Sequence, residues 1–310
     1  MRNFLLRNLF IWGEVMEKVK IQHYVPRFYL KNFAIQRGNE HWLNCFDKTD
    51  FRNFPVNIKD IGCEKFFYEG VEEEQILEKA LSRLERDFVK VYDKLVNSRL
   101  LLGLSWAEKS VLASFVAVQD LRTREFREVL RSLGKEMKRV LGNKPLSNDL
   151  KEQLATVDTE ENVRSIHSKL VTETLSGKTG FAQMILNMKW VLFENLTRIP
   201  LWTSDHPVNR FNPIDLEPFG NLGLMSRGIQ VFFPLNPNLG IVFGDPVEYF
   251  RNPEKVTCIK DNVIFCNTLQ VRSSTRHIFS SNNDFYLAKK WLNEHPDFTD
   301  PKRKRMEARN

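Results

Sequence analysis

The sequence predicts an α+β fold: a central block of four or more antiparallel helices packed with a small mixed or antiparallel sheet built from N-terminal and C-terminal strands. Three observations carry this. Aromatic-rich, strand-like segments occupy residues 21–70, amphipathic helical periodicity fills 71–195, and strands with further helices return over 196–290. Neither β-containing part has enough strands to be stable alone, so both are expected to join one intertwined domain over 21–290. Residues 1–20 read as an extension from an upstream start or a short amphipathic helix, and 291–310 as a basic tail.

Taken in order, "YLKNFA" reads as a short helical turn, "HWLNCFDK" as a strand and "FRNFPVNIKDI" as its returning neighbour. From Val71 the pattern turns helical, with Ile76, Leu77, Leu81, Leu84, Phe88, Val91 and Leu95 on one stripe. Ser105 and Glu108 stand in capping-box spacing at the head of a long helix that "GNKP" stops. Two more helices are expected at 148–172 and 177–195, broken by "SGKTG". "IPLWTSDHPVNRFNPIDLEPFGNLG" reads as a strand and long loops, and "GIQVFFPLNPNLGIVFGDP" as two strands around an Asn-Pro-Asn turn. "KDNVIFCNTLQVRSSTRHIFSS" and "NDFYLAKKWLNEH" read as terminal helices.

Composition excludes several classes. With 42% hydrophobic and 27% charged residues over 310 positions, the chain is that of a globular protein with a sizeable core, made Phe-rich by 24 phenylalanines. No run is long enough to span a bilayer, and no membrane partner is expected. Arg7 and Asn8 interrupt the apolar N-terminus and no small-residue cleavage site follows, so a signal peptide is not expected. Cys45, Cys63, Cys258 and Cys266 show no Cys-x-x-Cys pair or zinc-ligand spacing, which fits free thiols in a cytoplasmic protein. The net charge is +7; the last ten residues, "PKRKRMEARN", hold five cations and one acid and so account for +4 of it. That tail is expected to be solvated, with contact to nucleic acid as the alternative.

A helical wheel over residues 111–141 separates two faces. Leu112, Phe115, Phe126, Leu130, Leu133 and Met137 cluster on one, and Arg124, Arg127, Arg131, Lys135 and Lys138 on the other. The basic stripe reads as a solvated face paired with nearby glutamates, or as a nucleic-acid contact whose affinity falls with salt. Gln119 and Arg122 break the pattern by projecting to the apolar side. Either they tie a neighbouring loop through hydrogen bonds, or they line a cleft and hold an anionic group. His23, held beside Pro26 in the apolar stretch "IQHYVPRFYLKNFA", suits a general acid or base, a metal ligand or a satisfied core residue. In "WTSDHPV", Ser204 and Asp205 follow an apolar strand, where both turn chemistry and catalytic side chains occur. Asn267 is a further polar residue on an apolar helical line.

"HYVPRFYLKNFA", "FFYE", "VQDLRTREF", "TSDHPV", "FPLNP" and the "CNTLQ" helix, in this order, resemble the bacterial family called domain of unknown function 4238. The resemblance spans Ile21 to Phe285 and carries the family pattern onto His23, Tyr24, Pro26, Gln119, Arg122, Ser204, Asp205 and Asn267. His206 stands where that family often has Asn. The resemblance implies no established chemistry; its association with antiviral defence loci implies a toxic or nucleic-acid-directed effector.

Two functions follow as expectations. In a hydrolase, a nuclease or other phosphoester-directed enzyme, His23 acts as acid or base, Asp205 orients it or holds a divalent metal, Arg122 and Gln119 stabilise phosphate charge, and Ser204 and Asn267 complete the site. No Gly-rich phosphate loop or Gly-x-Ser-x-Gly elbow supports this. In a non-catalytic sensor, the same cluster recognises a ligand or locks the structure, while the basic stripe and tail meet nucleic acid. Both place His23 in one pocket with Gln119, Arg122 and Asp205.

Overall fold

The computed structural model describes residues 21–68, 74–215 and 221–305, with the backbone alone for 74–76. The N-terminal extension, Ile76 of the helical stripe and positions 306–310 of the tail lie outside the described residues or side chains. The chain opens with strand β1 (Ile21–His23) and a helical turn, α1 (Arg27–Leu30), continued as a 3-10 turn. Pro26 sets the extended backbone from which α1 starts. Strands β2 (Ile35–Arg37), β3 (Glu40–Asp47), β4 (Asn53–Asn57) and β5 (Cys63–Lys65) follow. β5 returns to pair with β1, and β4 runs back beside β3 as the sequence predicts.

The helical block holds α2 (Glu74–Ser98), α3 (Trp106–Leu121), α4 (Arg124–Leu141), α5 (Asn148–Thr156), α6 (Glu160–Leu175) and α7 (Phe181–Leu186). The expected stripe of α2 is buried at Leu77, Leu81, Phe88, Val91 and Leu95. The Ser105–Glu108 capping box is present, with both reciprocal bonds. Phe88 of α2 stacks face to face on Phe115 of α3, with ring centroids 3.7 Å apart.

Four sequence expectations change here. The segment 148–172 is not a single helix but α5 and α6, the second started by the Thr159 cap. The long helix breaks at Arg122 and Thr123, whose extended backbone (φ −95°, ψ 163°) and side chain cap the start of α4. Thr123 competes for the backbone as cap-forming residues do, so one wheel over 111–141 does not describe the face of α4. The segment 177–195 is half helix and half strand: "KWVLFEN" forms β6 (Lys189–Asn195), whose continuous apolar run is that of a strand covered on both faces. "HIFS", read as helix, is β12 (His277–Ser280).

The remaining elements are β7 (Thr203–Ser204), β8 (Asn209–Phe211), β9 (Gln230–Asn236), β10 (Leu239–Gly244), β11 (Lys255–Cys258), α8 (Lys260–Ser273) and α9 (Tyr286–Glu294). One sheet runs β11-β6-β10-β9-β8 and is antiparallel except for the parallel pair β11 and β6. The other runs β2-β3-β12-β7, with β4 also on β3, and is the predicted sheet of N-terminal and C-terminal strands. β12 sits at its centre, Ile278 opposite Phe46 and Phe279 opposite Cys45. Tyr29 joins the two sheets, its hydroxyl 2.8 Å from Thr203 Oγ1 and donating to the Pro234 carbonyl at 2.8 Å. All four cysteines are free thiols, and among the described residues no helix is long and apolar enough to cross a membrane.

Lys48, just past β3, is fully buried and donates from Nζ to the Val271 and Ser274 carbonyls at 2.7 and 2.8 Å. It thereby caps the C-terminus of α8. Burial, aided by the Arg303 charge, lowers its pKa from 10.5 to about 7. Between these two values the unfolded chain binds more protons than the folded one, so this lysine makes stability rise with pH across that window. Urea unfolding from pH 7 to 10 is expected to show this rise in the wild type and a flatter profile in Lys48→Met.

Candidate functional site

The candidate residues separate into three neighbouring networks, each fixed by what its polar atoms can reach. The first lies between α2, α3 and β1. Gln119 and Arg122 face inward, as predicted, and are 0% and 1% exposed. Gln119 Nε2 donates to the Tyr24 carbonyl at 3.0 Å, and its Oε1 accepts Arg122 Nε at 2.8 Å. Arg122 Nη1 donates to Glu85 Oε1 at 2.9 Å, while Nη2 is buried without a partner. His23 is half-buried, with Nε2 3.2 Å from the Lys59 carbonyl. A carbonyl can only accept, so Nε2 carries the proton and Nδ1 keeps its lone pair. Burial, then the charges of Arg27 and Arg122, lower the His23 pKa, which favours the neutral base. Glu85, a half-buried residue of α2, is the member the sequence did not reveal.

The second network ties β7 to the segment before β12. Asp205 Oδ1 accepts the Thr275 N–H, and Oδ2 accepts those of Arg276 and His277, all at 2.8 Å. Ser204 Oγ donates to Gln270 Oε1 at 2.7 Å, and Gln270 Nε2 donates to the Pro207 carbonyl at 3.0 Å. Asn267 accepts the Trp202 N–H at 2.8 Å and donates to the Pro200 carbonyl at 2.9 Å. Asn267 and Gln270 stand three apart on α8, both buried. That spacing is the signal that would have revealed Gln270. His206 lies between networks: Nδ1 is 2.7 Å from Thr123 Oγ1, and Nε2 is 3.8 Å from Asp120. Burial lowers its pKa. Asp120 is held in turn by Arg210, with Nε at 3.0 Å.

The structure bonds Gln119 to Arg122 and to the backbone of Tyr24 beside His23, whose ring bonds the Lys59 carbonyl and feels the Arg122 charge. It places Ser204, Asp205 and Asn267 in a separate set of bonds. Among the described residues no hydrogen bond or ion pair joins His23 or Arg122 to Asp205. No group of three or more His, Cys, Asp and Glu side chains among them has the arrangement of a metal site, and both Asp205 oxygens already accept backbone N–H groups.

The third network surrounds α4 and departs from the predicted faces in part: Phe126 packs on the core and Lys135 is exposed as expected, whereas Arg127 is buried and Leu133 and Met137 are exposed. Arg127 is 1% exposed, its guanidinium 3.8 Å over the Phe67 ring and its Nη2 donating to the Phe67 carbonyl at 2.6 Å. Arg124 pairs with Glu64 and Glu128, Arg131 with Glu128 and Glu160, and Lys138 with Asp158. Leu133 and Met137, expected inside, are 39% and 38% exposed. On the other flank Arg303 and Arg305, within the described part of the tail, pack against the helix instead of being solvated. Glu125 Oε1 accepts Arg303 Nη2 and Arg305 Nε at 2.8 Å, and Oε2 accepts Arg305 Nη2 and Thr275 Oγ1 at 2.8 Å. Burial alone would raise the Glu125 pKa; Arg305 and Arg303 overcome it and hold the carboxyl ionised below its usual range.

Between α4 and this C-terminal segment opens a cavity of about 340 Å³. Arg131, Lys135 and Arg139 line it from the helix and residues 302–305 from the tail, with Glu128 and Glu136 as the acids. Seven cations face two carboxylates. Lys135, Lys302, Lys304 and Arg139 lie at its exposed rim.

These features define an α+β protein with a strongly cationic groove and buried polar networks that fasten its strands. The chain belongs to the family described as "Protein of unknown function (DUF4238)", whose model matches residues 21–284. No curated protein and no solved structure matches the chain.

Asp205→Ala is expected to destabilise the protein by roughly 3 kcal/mol, because one buried and two part-buried N–H groups lose their acceptor. Asp205→Asn retains one accepting oxygen and is expected to lose less; denaturant titration of both variants checks this.

Proposed function

We propose that the protein binds nucleic acid, without sequence preference, along the groove between α4 and residues 302–305. The observation that carries this reading is the convergence of two basic stretches, more than 150 residues apart in sequence, on one cavity with seven cations and two acids. Phosphate oxygens are the ligands such a surface suits, since Arg forks bind them bidentately and Lys as point charges. Neutralising phosphates releases counterions, so affinity falls steeply with salt. Of the stripe, Lys135 and Arg131 line the groove, Arg131 while also paired with Glu128 and Glu160, whereas Arg124, Arg127 and Lys138 are engaged with the protein away from it. Fluorescence anisotropy with single-stranded DNA, duplex DNA and RNA is expected to show salt-dependent binding. Lys135→Glu and Lys302→Glu should each weaken it across sequences and reduce the salt slope by about 1. No binding at low salt, or unchanged affinity in both variants, overturns the reading.

A second reading, phosphoester hydrolysis, draws support from the first network. His23 is held as a neutral base with Nδ1 unprotonated, near an Arg122 whose Nη2 lacks a partner. A phosphodiester screen with and without divalent metal tests it. Turnover lost in His23→Ala, with nucleic-acid affinity unchanged, is the expected result; turnover retained in that variant, or none in the wild type, removes this reading.

A further inference from the structure

The cavity has walls of different kinds: one is the helix α4 and the other is an irregular C-terminal segment, residues 302–305, laid across it. We infer that Glu125 installs this strap, so that the nucleic-acid groove exists only while the strap is clasped, and that ligand binding and strap docking favour one another. The inference rests on the groove reading above and adds what controls it.

Four observations lead there. Arg303 and Arg305 have side chains 8% and 5% exposed, although they come from a run whose composition suits a solvated tail. Both bond the protein, Arg305 through Nε, Nη1 and Nη2 and Arg303 through Nη2. Arg305 forks onto Glu125, and Arg303 reaches Glu125 together with the Arg272 and Ser274 carbonyls at 3.2 Å. The Arg305 N–H also donates to Ser132 Oγ of α4 at 3.1 Å. Finally, Arg303 Nη1 is buried with no partner, and Arg303 lines the cavity. The side chains of Arg303 and Arg305 thus anchor the strap, while Lys302 and Lys304 between and beside them are exposed at the rim. A run of alternating anchors and rim cations is presented as a rigid edge only if the carboxylate beneath it is ionised. Glu125 touches no ligand in this arrangement; it is a positioning residue.

Charge alone and positioning predict opposite signs for its removal. Glu125→Gln deletes a negative charge beside a cationic groove, which by electrostatics tightens an anion. If Glu125 holds the strap, the same change releases four cations and weakens it. The experiment measures anisotropy of a labelled single-stranded DNA 20-mer against salt for wild type, Glu125→Gln and Lys135→Glu, with trypsin cleavage at residues 302–305 in the absence of DNA. The expected result for Glu125→Gln is about tenfold weaker binding, a salt slope shallower by roughly 2–3 at about 0.7–0.9 per lost phosphate contact, and faster cleavage. Equal or tighter binding in Glu125→Gln, with Lys135→Glu still weakened, overturns the strap and leaves the groove reading standing. Lys135→Glu without effect overturns both. Should Glu125→Gln fail to fold, Arg305→Met replaces it: a slope change well above the 1 expected of one lost cation supports the clasp, and a change of 1 or less overturns it.

Discussion

The arrangement around α4 depends on burying charge in place of hydrocarbon, and Glu125 is the centre of that exchange. A carboxylate removed from water is costly unless every lone pair is used. Here both oxygens are occupied, by Arg303, by the fork of Arg305 and by the Thr275 hydroxyl. One side chain on the first turn of α4 thereby holds residues 303–305 of the C-terminal segment and the residue that leads into the central strand β12. On the opposite flank Arg127, Arg131 and Lys138 bind the carbonyls and acids of Phe67 and the α5–α6 turn. With two polar flanks occupied, the apolar line of α4 through Leu133 and Met137 is left toward solvent.

The same economy recurs where long-range segments meet. Asp205 gathers three consecutive N–H groups leading into the first residue of β12, Asn267 pins residues 200–202, and Gln119 holds the Tyr24 carbonyl. In each case the backbone groups lie at or beyond the end of a strand, and a side chain supplies the missing bond. Such bonds contribute modestly when made and cost several times more when one partner is lost. Polar residues on apolar lines can therefore belong to the structure as readily as to a site. In this chain the networks of Asp205 and Asn267 are saturated by backbone, whereas Arg122 and Arg303 each keep one buried donor unused.

Much of this was legible in the sequence. The α+β class, the strand pair at 40–57, the hairpin around Asn236–Asn238, the capping box and the inward direction of Gln119 and Arg122 follow from periodicity and cap chemistry, which act over a few residues. The break at Thr123 was not read, because a threonine inside a strong helical pattern becomes a cap only when its side chain turns to the backbone. β6 was read as helix because a short, continuous apolar run has the same appearance in a buried strand. Glu125 passed for an ordinary partner of nearby cations, since nothing local distinguishes a surface glutamate from one that will meet Arg303 and Arg305.

By itself the sequence determined where helices and strands can form, which residues are too apolar to remain exposed, and that a few polar ones must find partners inside. Which partners they find was decided only by the tertiary structure. The acids that neutralise most of the α4 stripe, and the basic segment that completes its groove, come from distant parts of the chain. Charge pairing acts through space at a few ångströms, and a linear pattern does not encode which distant group will be there.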